Sequence, residues 1–284
     1  MRIRLLENLK ELPTLPTVVA QLMMTLNEPT SSARDLERLI ANDQAIAARL
    51  LKLANSAFYG LPGKVASLSR AITLLGFNTV RSLVLTIGVI DKFSGPSGGR
   101  YFDRGEFWEH SLTVATVARL LGARDPGFSP EEAHLAGLLH DIGKVIMDNF
   151  QPLKFQEAMQ LVRDRNMNPL QAESLVLGLS HDEVGAIAAG EWRFPDFLRE
   201  VIAFHHKPEN ATRFPEIVQL VAMADLLVPS LKEQEHRGDD YSIPADLPEI
   251  WKAKWLPTPR HEELFQTKYE VEIEKVRDIT NLFV

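Results

Sequence analysis

The stretch Leu138-Leu139-His140-Asp141-Ile142-Gly143-Lys144 constrains this chain more than any other. It sets an ionisable pair directly between apolar residues. A charged carboxylate in such surroundings is costly unless something pairs with it. Metal coordination is the most economical pairing, because imidazole nitrogen and carboxylate oxygen are both ligand types for zinc, iron or manganese. The flanking pattern predicts that the pair lies on a helix, where neighbouring side chains point about 100° apart. They then hold one ion from two sides, or the aspartate bridges two ions. Either way, the fold has to bring further ligands to this pair from elsewhere in the chain.

Nearly every segment reads with a helical period, and no run of alternating β-branched residues stands out, so the expected class is all-α. After Pro13 and Pro16, the apolar positions Val18, Val19, Leu22, Met23 and Leu26 fall at helix spacing, closed by Asn27-Glu-Pro-Thr. Ser32 is placed to cap a helix over Ala33–Ala41. Further helices are predicted at about 43–57, 68–75 and 79–90, which makes about five short helices over residues 1–93. Ser94-Gly-Pro-Ser-Gly-Gly is flexible by composition, and a linker is expected at 94–100. A helical core follows at 101–230. It contains a helix over 104–121 and one opened by the capping box Ser129-Pro-Glu-Glu, which carries His140-Asp141. More helices are predicted at 153–165 and 170–177, then from the box Ser180-His-Asp-Glu to Trp192, from Pro195 to His205-His206, and over 217–228. Residues 231–284 read as a polar, proline-interrupted extension ending in an amphipathic helix at about 261–282. The apolar spacing of that last helix suits packing over the core and suits a homodimer contact equally.

Composition removes several function classes. No cysteine is present, which excludes disulfides, thiolate metal sites and cysteine nucleophiles, and which fits a reducing cytoplasm. A formal charge of −7 argues against broad nucleic-acid binding. The residues Lys64, Arg70 and Arg81 could form at most a small basic patch. Charges interrupt the N-terminal apolar residues, so no signal peptide is read there, and the longest apolar stretches are too short to span a bilayer. A soluble, cytoplasmic protein is expected.

The candidate metal ligands are His110, His140, Asp141, His181, His205, His206 and Asp225. They lie on five predicted helices, each on or beside an apolar stripe. Asp225 is the most telling, standing alone among Leu220, Val221, Ala222, Met223, Ala224, Leu226 and Leu227. A single histidine on an apolar face is more often a hydrogen-bonded core residue, and His134, His236 and His261 are read that way. From spacing alone, a metal centre and a set of separately hydrogen-bonded core residues both remain open.

The order of these residues resembles the HD superfamily of metal-dependent phosphohydrolases, and most closely the HDOD family of bacterial signalling domains. The segments Leu12-Pro-Thr-Leu-Pro16, residues 40–60 (Ile-Ala-Asn-Asp-Gln through Asn-Ser-Ala-Phe-Tyr-Gly) and Ala71-Ile-Thr-Leu-Leu-Gly76 are similar to those preceding the HD core in that family. Phe107-Trp-Glu-His-Ser111, Gly137-Leu-Leu-His-Asp-Ile-Gly-Lys144 and Phe204-His-His-Lys-Pro-Glu209 are similar to its core motifs. The resemblance implies a regulatory module with one or two divalent ions (iron, manganese or zinc), acting through a signalling protein partner in trans. The alternative it implies is an active phosphohydrolase or phosphodiesterase on a nucleotide or other phosphoester. In that case Asp141 would bridge the ions and Lys144 would meet a substrate phosphate. Glu106, four residues before His110, shares its face and is read as solvated. The related HD-GYP enzymes, which cleave cyclic di-GMP, carry Gly-Tyr-Pro after the paired histidines. Lys207-Pro-Glu-Asn stands here instead, and no Gly-Tyr-Pro follows.

Overall fold

A computed structural model describes residues 15–25, 32–56, 59–93, 99–123, 125, 127–237 and 247–283. The expected turn at 27–30 and most of the 94–100 linker lie outside these residues, as do Pro13 and the side chain of His236. Among the described residues every regular element is helical. In chain order these are α1 Thr17–Thr25, α2 Ala33–Ala41, α3 Gln44–Ala54, α4 Leu68–Leu75, α5 Phe77–Phe93 and α6 Arg104–Gly122. They continue with α7 Pro130–Leu139, α8 Ile142–Phe150, α9 Pro152–Arg165, α10 Pro169–Leu177 and α11 His181–Glu191. The series ends with α12 Asp196–Phe204, α13 Pro215–Arg237, α14 Glu249–Trp255 and α15 Pro259–Phe283.

The helix starts follow their caps. Ser32, Ser129 and Ser180 each begin a capping box, with Asp35, Glu132 and Glu183 reaching back from the third helical position. In the motif Leu53-Ala-Asn-Ser, Asn55 does structural work. Its amide donates to the Val65 carbonyl at 2.8 Å and its oxygen accepts the Val65 N–H at 2.8 Å, closing the loop after α3. At Gly76 the backbone takes φ 88°, and the chain bends by 118° between α4 and α5.

Helix α5 is buried almost all round, from Val80 through Phe93, and α1, α3 and α4 wrap it. It also packs on α7, so one apolar core runs without interruption from Leu15 to Ile279. A guanidinium ties the two halves together. Arg104 donates to Asp148 Oδ2 at 2.7 Å, to the Phe93 carbonyl at 3.2 Å and to Asn149 Oδ1 at 3.0 Å, joining the ends of α5, α6 and α8. Helix α6 is the axis of the second half, packed against α7, α13 and α15.

Three sequence expectations are corrected. The His140-Asp141 pair does not lie within a helix. His140 caps the C-terminus of α7, and Asp141, at φ −101° and ψ 12°, separates it from a distinct helix α8. Helix α13 does not stop near Val228 but continues through Pro229 to Arg237, although that proline withholds the N–H that would bond the Asp225 carbonyl. The extension also holds a second helix, α14. The last helix packs back on the core. Phe265, Tyr269, Ile273, Val276 and Ile279 are buried, and Glu272 accepts from Arg119 of α6 at 2.7 Å. No single helix among the described residues is long and apolar enough to cross a membrane.

Candidate metal centre

Two glycines explain how the His-Asp pair is aimed. A Cβ on Gly137 would stand 2.8 Å from the Ala115 backbone, so α7 lies close against α6 and His140 comes level with His110. A Cβ on Gly143 would stand 1.9 Å from the His181 carbonyl oxygen. Only glycine lets α8 rest on the first turn of α11, and that contact carries His181 to Asp141.

All the sequence-predicted ligands converge, and Asp141 divides them into two sets. Its Oδ1 lies 3.0 Å from His181 Nε2 and 3.4 Å from His205 Nε2. His206 joins this set, with its Nε2 2.9 Å from that of His181. Its Oδ2 lies 3.3 Å from His140 Nε2 and 4.0 Å from His110 Nε2. Asp225 completes the second set, 3.1 Å from His110 and 3.6 Å from His140. Both groups have the proximity of donors around a cation. Donors bound to one ion at ~2.0–2.2 Å stand roughly 3–3.5 Å apart; most of these distances lie in or close to that range, and His110 to Asp141 at 4.0 Å lies beyond it.

The outward-facing nitrogens settle the tautomers. His140 Nδ1 is 2.7 Å from the Gly137 carbonyl, and His205 Nδ1 is 3.2 and 3.1 Å from the Val201 and Ile202 carbonyls. A carbonyl only accepts, so each Nδ1 carries a proton, and Nε2 is the nitrogen that each ring presents to the centre. His140 Nε2, His205 Nε2 and Asp141 Oδ1 are all buried, and the polar atoms nearest to them belong to this same cluster. His181 Nε2 and His206 Nε2 face each other at 2.9 Å, a separation that suits a hydrogen bond in the metal-free protein and two donors on one cation in the loaded one. The residues fit a metal.

Glu173 of α10 was not among the sequence candidates. It is fully buried, accepts from the His181 backbone N–H at 2.8 Å and sits 2.7 Å from His181 Nδ1. Its neighbours Gln171 and Ser174 are polar, so the unbroken apolar run that singles out Asp225 is missing around it. Lys144 is in ion-pair contact with Asp141 Oδ2. Glu106 is exposed, as expected. His134 is a neutral core histidine, held down to about 3 by burial and by Arg119. His261 is hydrogen-bonded locally to Thr258 at 2.6 Å.

The carboxylates make this a place for positive charge. Burial opposes protonation of His140, but Asp141 and Asp225 outweigh it and push the imidazole up to about 10. Burial likewise opposes charge on His181, yet Glu173 and Asp141 push it up to about 9. Burial and the neighbouring His205 and His181 hold His206 down to about 3. Burial resists ionisation of both aspartates, but Lys144, His140 and His181 keep Asp141, and His110 and His140 keep Asp225, well below the ordinary carboxylate range.

A pH dependence follows with a definite sign. His140 and His181 bind protons more tightly folded than unfolded, where histidine titrates near ~6.5. In chelator-stripped protein their contribution is therefore complete below pH ~6.5 and is lost as pH rises through about 9 and about 10. Calorimetry in excess chelator should show Tm falling by several degrees between neutral pH and pH 10, while metal-loaded protein falls less. An equal fall in both forms would refute the role given to the two imidazoles.

The HDOD domain model matches residues 12–208. The chain belongs to the HDOD domain family. Among solved structures, an HDOD domain protein of Geobacter sulfurreducens is 27% identical, with a TM-score of 0.79 and coverage of 100% of this chain and 98% of that one. A Shewanella amazonensis protein whose designation as a phosphohydrolase is provisional is 28% identical, with a TM-score of 0.71 and coverage of 97% and 93%. Ribonuclease Y of Aquifex aeolicus is 34% identical over 118 residues, covering 42% of this chain and 16% of that one. The chain spans less than half the length of the curated relatives it matches. The HDOD match ends before Asp225, so one donor of the second set stands outside the family segment.

Proposed function

We propose that this HDOD chain is a metal-dependent phosphohydrolase holding two divalent cations, one in each donor set of Asp141. A single observation carries the reading: one side of this doubly ligated centre is open. The side chains of His140, His181 and His205 are 0% exposed and that of Asp141 is 2% exposed, whereas His110 is 26%, Lys144 22% and Asp225 20% exposed, and His206 is exposed too. Structural metal sites are closed and catalytic ones keep an accessible face. Cations bound there would supply Lewis acidity toward phosphate oxygens and make a water more acidic. The chain's own groups divide the remaining work. Glu173 orients His181, the carbonyls behind His140 and His205 fix their tautomers, and Lys144 offers an ammonium at the open face for a phosphate oxygen. The likeness to Ribonuclease Y supports a phosphodiester as the bond cleaved, while the missing Gly-Tyr-Pro argues against the HD-GYP mode of substrate binding.

The test is turnover of bis(p-nitrophenyl) phosphate by protein loaded with manganese, iron or zinc. Lys144→Met should lower kcat/KM by about tenfold to a hundredfold, ~1.4–2.7 kcal/mol, with metal content unchanged. Protein shown to hold two ions that turns over neither this diester nor a panel of phosphoesters would overturn the hydrolytic reading.

A second reading, signalling through protein contacts, is favoured by the N-terminal block. Helices α1–α5 contribute no residue to either donor set, although the family match runs through them. On this reading they present a surface to a protein partner, and output is lost on changes in α1–α5 that leave metal content intact.

A further inference from the structure

The two donor sets that share Asp141 differ in what stands behind them. The set of His181, His205 and His206 is backed by a carboxylate. Glu173 is fully buried and sits 2.7 Å from His181 Nδ1, and a carboxylate in that position makes an imidazole a stronger ligand. The set of His110, His140 and Asp225 has the opposite neighbour. Lys144 forms an ion pair with Asp141 Oδ2, the oxygen that faces this set, while Oδ1 faces the other.

The fold determines where that ammonium stands. Lys144 lies on the first turn of α8, and its backbone N–H donates to the Asp141 carbonyl at 2.9 Å. Gly143 holds the same turn against α11. The side chain of Lys144 is 22% exposed and that of Asp141 only 2%, so water screens the pair weakly. A cation held by His110, His140, Asp225 and Asp141 Oδ2 shares that oxygen with the ammonium. Like charges so close together in a partly buried site repel strongly. A cation in the other set takes the opposite oxygen of Asp141 and has Glu173 behind one of its imidazoles.

Building on the two-cation reading above, we propose that Lys144 is a built-in competitor for the second cation. The site of His181, His205 and His206 fills at low metal concentration and stays filled. The site of His110, His140 and Asp225 fills only where divalent ion is abundant, so the centre is switched by metal supply. An ammonium displaced from Oδ2 is then free for a phosphate oxygen. Its competition with the ion and its contact with substrate are therefore successive.

Equilibrium dialysis of the full chain against manganese(II), with bound metal read by elemental analysis, tests this without any turnover. The parent protein should take up two ions in steps whose midpoints differ by at least about tenfold. Asp225→Asn should delete the weaker step, which assigns it to the second set. Lys144→Met should tighten the weaker step by about tenfold or more and leave the stronger one within about twofold. At saturating manganese the parent and Lys144→Met then hold the same two ions. Lys144→Arg keeps the charge and should keep the parent's weak step. An intact first step shows that each variant has kept its fold. The competition is refuted, with the hydrolytic reading left standing, if the parent's two steps coincide or Lys144→Met does not tighten the weaker one selectively. It is refuted equally if Lys144→Arg binds as Lys144→Met does, or if Asp225→Asn loses the stronger step. A parent protein that binds a single ion would overturn both this and the two-cation reading.

Discussion

Asp141→Ala is expected to strip both donor sets at once. Elemental analysis of the purified variant should give less than about half an ion per chain, against about two for the parent protein. The reason is geometric. Oδ1 serves His181 and His205 while Oδ2 serves His140 and His110, so no other single change touches both sets. Asp225→Asn provides the contrast. Its carboxylate contacts only His110 and His140, and the variant should retain about one ion, held by His181, His205, His206 and Asp141. Equal metal content in the two variants would disprove the division of the donors by Asp141. Melting temperature should follow the same order, because ions that bind only the folded chain stabilise it.

Gly143→Ala should be the most damaging change that adds a single methyl group. The new Cβ would sit 1.9 Å from the His181 carbonyl oxygen and 3.0 Å from the Gly185 nitrogen, both backbone atoms that no side-chain rotation relieves. Overpacking against side chains typically costs 1–3 kcal/mol. Here α8 and α11 have to separate, and a loss of about 3 kcal/mol or more is expected, read from denaturant midpoints at unchanged m-value. Metal affinity should fall with it, since His181 rides on the displaced turn. As a control, Gly190→Ala in α11 meets nothing closer than the Arg199 side chain at 3.8 Å and should be nearly neutral. A Gly143→Ala protein as stable as Gly190→Ala would refute the packing account.

How much of this is legible in the sequence depends on whether the cause is local. Ser32, Ser129 and Ser180 mark their helix starts because a capping box is complete within four residues. His110, His181, His205 and Asp225 can be picked out because a polar residue on an apolar stripe needs a buried partner. The break between α7 and α8 is not legible, because apolar residues run on at helical spacing through it, and the close contact of Gly143 with His181 joins residues distant in sequence. Glu173 escapes notice because α10 reads as an amphipathic surface helix, and its partner becomes visible only when α10 stands beside α11.

The spread of the donors has a consequence during synthesis. His110 and Asp225 are 115 positions apart in the chain. A ribosome adding about 5–20 residues per second needs roughly 6–23 s to cover that distance. The set made of Asp141, His181, His205 and His206 is complete before Asp225 emerges. The donors of one set are therefore all synthesised before the other set is complete.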